Sequence, residues 1–149
     1  MRLSLELLMV DDNPADVALV AEALAGSKHR SRISSAGDGI EAMAFLNHRE
    51  KFENATRPDL VILDLNLPKK DGLAVLAAMK AAPDLRRIPV VIFSSSRLGQ
   101  DISRSYELGA NCYVSKPGNL KDFTFAVRSI EEFWCGPVSL PPEQSRQGE

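Results

Sequence analysis

"DLVILDLNLPKKDG", Asp59 to Gly72, decides the fold. Leu60 to Leu63 form an unbroken apolar run of strand length, and the run ends on an acid, Asp64. Pro68 and Gly72 then interrupt it, and "LAVLAAMKAA" (Leu73 to Ala82) favours helix. A strand that is apolar at consecutive positions is buried on both faces, as in a parallel sheet covered by helices. An ionisable carboxylate at its end belongs at the rim of such a sheet, outside the core.

Outward from this stretch the same design recurs. "LELLMV" (Leu5 to Val10) ends in Asp11-Asp12, and "PVVIF" (Pro89 to Phe93) ends in Ser94, Ser95 and Ser96. "RISSA" (Arg32 to Ala36) and "NCYV" (Asn111 to Val114) read as two further strands. Helical signals separate them. Asn13 suits a cap, Pro14 a first helical position and Asp16 a capping acid, with Val17, Val20, Ala21 and Leu24 on one face and Gly26 as the stop. Asp38-Gly39 turns into a second helix with Ile40, Met43 and Ala44 along one side, continued by Leu46 or Asn47. Arg49 to Arg57 is polar, a helix extension or an exposed loop. Asp101 to Leu108 reads as a helix stopped by Gly109, and Leu120, Phe123, Val127, Ile130 and Trp134 form the stripe of a final amphipathic helix.

Five alternating strand and helix units predict an α/β fold, a doubly wound parallel sheet with helices on both faces. The common five-strand order is 2-1-3-4-5, and its ligand crevice lies at the carboxyl ends of strands 1 and 3. The chain has 149 residues, enough for one domain over residues 1–135. Residues 136–149 are rich in Pro, Gln and Ser and are expected to be flexible or to dock only on a partner.

Composition narrows the function. A formal net charge of −2 supports no nucleic-acid or membrane partner. No apolar run approaches the roughly 18 residues of a membrane span, and the N-terminus is too short and polar for a signal segment, so a cytoplasmic protein is expected. Cys112 and Cys135 are too few for a disulfide framework, and Cys112 is expected to be a buried, inert thiol. His29 and His48 have no partner at zinc-ligand spacing.

On the expected topology Asp11, Asp12 and Asp64 converge on the crevice. Carboxylates this close repel unless a cation joins them, and an all-oxygen set suits Mg²⁺. Ser94 and Lys116 end the fourth and fifth strands at the same edge. A carboxylate nucleophile, a metal, a hydroxyl and a fixed ammonium suit phosphoryl transfer onto Asp64.

Asp11-Asp12, Asp64, Ser94, Tyr113 and Lys116-Pro117, in this order, resemble the receiver domain of two-component response regulators over roughly residues 5–134. The resemblance implies that Asp64 accepts a phosphoryl group from a sensor histidine kinase. It implies that Asp12 binds Mg²⁺ directly, Asp11 through water, and Asn66 by its backbone carbonyl. Lys116 would pair with Asp64 or its phosphate, and the Lys116-Pro117 bond would be cis. Ser94 and Tyr113 would form a switch that repacks the face of the fourth helix, fifth strand and fifth helix. Serine stands where threonine is common in the family, which keeps the hydroxyl and suggests a looser switch.

"LDLNLPKKDG", "RRIPVVIFSSS", "NCYVSKPGNL" and "IEEFW" further resemble single-domain regulators paired with phytochrome-type light-sensing kinases, as does the long stretch Asn47 to Pro58. That subgroup implies a homodimer through the same face; the short tail has no room for an output domain, so output by protein contacts is expected. Three other readings are weaker. "GDGIEA" (Gly37 to Ala42) matches a dinucleotide glycine pattern but follows the second strand. A flavin phosphate would meet Asp11-Asp12. An aspartate-nucleophile phosphatase needs an acid two residues after Asp64, where Asn66 cannot protonate a leaving group.

Overall fold

The computed structural model describes residues 4–142. Five strands run β1 (Glu6–Val10), β2 (Arg32–Ala36), β3 (Leu60–Leu63), β4 (Val90–Ser94) and β5 (Cys112–Ser115). Five helices follow them: α1 (Pro14–Ala25), α2 (Gly39–Leu46), α3 (Gly72–Ala81), α4 (Gly99–Glu107) and α5 (Leu120–Cys135). The sheet is wholly parallel in the order β2-β1-β3-β4-β5, as the alternation predicts.

The period of two along each strand explains the apolar runs. Leu8 and Val10, Val61 and Leu63, and Val90 and Ile92 face a core completed by α2 and α3 through Ala42, Phe45, Leu46, Val75, Leu76 and Met79. Leu7 and Met9, Leu60 and Ile62, and Val91 and Phe93 face the opposite core, filled from α1 and α5 by Val20, Leu24, Phe123, Val127, Ile130 and Trp134. The carboxyl ends of β1, β3, β4 and β5 thereby reach one rim.

Local chemistry sets the helix starts. Asn13 accepts the N–H groups of Ala15 and Asp16 at 3.0 and 3.2 Å, Asp38 accepts from Glu41 at 2.7 Å, and Asp71 from Ala74 at 2.9 Å. Two glycines open helices for steric reasons. A Cβ on Gly39 would strike the Lys70 carbonyl oxygen, and one on Gly72 would strike that of Asp64. The loop after Asp64 is thus clamped between the starts of α2 and α3.

The structure departs from the expected elements in four places. α2 buries Ala42, Phe45 and Leu46 and leaves Ile40 56% exposed, because the close seat of Gly39 on Lys70 sets the helix rotation. Arg49 to Arg57 holds a single 3-10 turn at Glu50–Phe52, whose Phe52 ring packs 5.3 Å from Phe45. Leu120 leaves the α5 stripe at 62% exposure and shares a surface with Phe125, which together with Phe133 forms an exposed apolar face beside β5. Finally, the chain after Gly136 is not free of the fold at first, because Val138 and Leu140 pack against the α1–α5 core. The rest of the expected flexible tail, 143–149, lies outside the described residues.

Cys112 is half-buried, and burial raises its thiol pKa. Glu131 on α5 is enclosed, with neither carboxylate oxygen hydrogen-bonded among the described residues. A buried polar group left without a partner costs on the order of 1–3 kcal/mol, and more when charged. Among the described residues no helix is long and apolar enough to cross a membrane.

Candidate functional site

Backbone pairing carries four groups to the rim. The Asp11 N–H donates to the Ala36 carbonyl at 3.0 Å, that of Asp64 to Val10 at 2.9 Å, and that of Lys116 to Ser94 at 2.8 Å. Asp11 and Asp64 are buried, at 3% and 7% exposure, and Asp12 is exposed. One carboxylate oxygen from each of Asp11, Asp12 and Asp64 lies within 4.8 Å of the others. The three form an open-sided oxygen set with one member toward solvent, and they could hold a small hard cation.

Lys116 reaches across the crevice. Its Nζ donates to Asp11 Oδ2 at 2.7 Å, Asp16 Oδ2 at 2.8 Å and Asp64 Oδ2 at 3.1 Å, and lies 5.9 Å from the centre of the Phe93 ring. Burial alone would lower the lysine pKa, but its bonds to Asp11 and Asp16 and the charges of Asp11 and Asp64 outweigh this and hold it above its ordinary value. Lys116 is a fixed cation. Asp11 is pushed up by burial, against the pull of Lys116 and of the Asn13 N–H at 2.9 Å. The loss of hydration outweighs what the ammonium and the N–H return, and the neighbouring Asp64 charge adds a smaller push in the same direction. The Asp64 Oδ1 accepts from the Asn66 N–H at 3.4 Å, which fixes the plane of the carboxylate.

Ser94 and Tyr113 meet through Ser96. Ser94 is fully buried, and its Oγ accepts from the Ser96 N–H at 3.2 Å. The Tyr113 hydroxyl donates to the Ser96 carbonyl at 2.8 Å, and its ring packs against the α2–α3 core. The Ser96 Oγ donates to Asp101 Oδ2 at 2.5 Å, tying the same loop to the first turn of α4. The hydroxyl position, the aromatic ring and α4 therefore share one backbone junction.

Two features escaped sequence reading. Asp16 serves Lys116 with its carboxylate as well as starting α1, and Ser96 is a junction in what reads as a plain polar loop. The Lys116-Pro117 bond, which the resemblance implies to be cis, is trans here, the form that X–Pro bonds intrinsically favour. The Lys116 carbonyl accepts from Arg97 Nη2 at 3.4 Å in this arrangement.

Residues 7–128 match the Response regulator receiver domain family. The chain belongs to that family. This receiver is 49% identical over 135 residues to response regulator Rcp1 of Synechocystis sp., covering 91% of this chain and 92% of that one. It is also similar to a solved structure of a phosphorylated cyanobacterial phytochrome response regulator, RcpA, at 47% identity and a TM-score of 0.89, covering 93% of this chain and 99% of that one. A Mn(2+)-bound form of response regulator Rcp1 is similar at 48% identity and a TM-score of 0.87, with coverage of 93% and 99%.

Proposed function

We propose that this receiver is a phosphorylation-operated switch that takes a phosphoryl group on Asp64 from a phosphohistidine of a phytochrome-type sensor kinase. The observation that carries the reading is the contact of Lys116 with Asp64 in the crevice where Asp11 and Asp12 converge. In the transfer the histidine N–P bond breaks, the imidazole keeps its electron pair, and an Asp64 oxygen forms the new bond to phosphorus. Lys116 donates to the incoming phosphoryl oxygens, and the buried walls of Phe93 and Ser94 restrict water on that side.

Asp11, Asp12 and Asp64, with the Asn66 carbonyl, would hold Mg²⁺. Bound there, the ion would neutralise charge on the transferring group. The Mn(2+)-bound form of the similar Rcp1 supports a divalent ion, and the phosphorylated phytochrome regulator RcpA supports the kinase class. Ser94 would move to the phosphoryl group and, through Ser96, carry Tyr113 and α4 with it. The α4-β5-α5 face would then signal, and its exposed Phe125 and Phe133 suit a homodimer contact. Residues 1–135 would be the switching unit and 136–149 an appendage. We place the protein in the cytoplasm, acting by protein contacts and turning over only its own phosphoryl group.

Phosphorylated histidine kinases of phytochrome and unrelated types, mixed with the protein, test the partner. Label is expected to pass fastest from the phytochrome type and only with Mg²⁺ present. Equal transfer from all donors would remove the phytochrome assignment, and transfer in excess chelator would remove the metal.

A further inference from the structure

An ammonium has three N–H donors and no more. In this structure Lys116 has all three engaged, by Asp11 at 2.7 Å, Asp16 at 2.8 Å and Asp64 at 3.1 Å. A phosphoryl group arriving at Asp64 can be held by Lys116 only if one acceptor lets go. The three differ in what release costs them. The Asp11 side chain is 1% exposed and also accepts the Asn13 N–H, so it cannot rehydrate. The N–H aimed at Asp64 can pass to the phosphoryl oxygens, but any further N–H they take must come from Asp11 or Asp16. The Asp16 side chain is 20% exposed and stands on the first turn of α1, so solvent can reach it in place of the lysine.

We propose that Asp16 is a positioning residue for Lys116, a releasable anchor that competes with the phosphoryl group for the ammonium and so restrains phosphorylation of Asp64. The proposal rests on Asp64 being the phosphoacceptor. The competition is local and charge-assisted: in the resting protein Asp16 already holds one of the three N–H groups, by a bond shorter than the one to Asp64. Full engagement of the phosphoryl group then draws Lys116 from the α1 side of the crevice toward β3. The arrangement sets a threshold for the donor, without any change in the nucleophile.

Acetyl phosphate at saturating Mg²⁺ is a suitable probe. Acetate leaves with the electron pair of its O–P bond, and an Asp64 oxygen forms the new bond. Asp16→Asn should lower the donor concentration for half-maximal labelling by about tenfold, the scale of one charge-assisted hydrogen bond. Asp16→Glu, which keeps the charge, should stay near wild type. In the unphosphorylated protein the NMR resonance of the Lys116 ammonium should move in Asp16→Asn and return in Asp16→Glu, a readout that a merely helix-capping role would leave unmoved. Unchanged or weaker labelling of Asp16→Asn, or equal gains in both variants, overturns the proposal while leaving Asp64 in its role. Label persisting in Asp64→Asn would instead overturn the reading beneath it.

Discussion

Asp64→Asn is expected to take up no phosphoryl label from acetyl phosphate and Mg²⁺ under conditions that label the wild type. An amide is neutral and cannot form the acyl phosphate, so the nucleophile itself is gone. Lys116, Asp11, Asp12 and Asp16 all remain, and none of them is expected to replace it. Lys116 is held protonated by its acidic neighbours, and Asp11 is enclosed and oriented by the Asn13 N–H. The variant should fold as the wild type does, because asparagine keeps the shape of the side chain and an oxygen for the Asn66 N–H. Circular dichroism and a thermal melt check this, so that lost labelling is read as lost chemistry.

The second large effect is expected at a residue with no side chain, at Gly72→Ala. Alanine favours a helix over glycine by up to about 1 kcal/mol, which alone would make this change stabilising. Geometry decides otherwise. The new Cβ would collide with the Asp64 carbonyl oxygen and stand 2.6 Å from the Leu65 Cα. Both are backbone atoms, so no rotamer relieves the overlap and the strand end must move. The change should destabilise by about 3 kcal/mol, the upper part of the usual range for overpacking, which lowers the midpoint by roughly 6–12 °C in a chain of this size. The displaced atoms carry the phosphoacceptor, so labelling should also fall in the fraction that stays folded. Gly37→Ala, where a Cβ meets nothing within 4 Å, is the matched control and should shift little.

These two sites mark what was legible in the sequence. β1, β3 and β4 were readable because burial on both faces writes itself as consecutive apolar residues. The convergence of Asp11, Asp12, Asp64 and Lys116 followed from topology alone, since strands adjacent in the sheet end at one rim. Asp16 was hidden by its double use. An acid in the first turn of a helix is already accounted for by capping and the helix dipole, and its bond to a lysine 100 residues away leaves no local trace. The rotation of α2 depends on Gly39 seating against Lys70, a tertiary contact invisible to periodicity. Val138 and Leu140 are isolated apolar residues in a polar, proline-rich segment, and only the core they cover shows why they pack.

The central claim is that the carboxylate delivered by β3, and no other, becomes covalently bonded to phosphorus beside Lys116. Borohydride reduction of the phosphorylated protein converts an aspartyl phosphate to homoserine, and peptide mass spectrometry then locates it. The account predicts homoserine at position 64 alone, with none in a sample prepared without donor. Homoserine at position 11, 12 or 16, or phosphorylated protein that yields none, would contradict it.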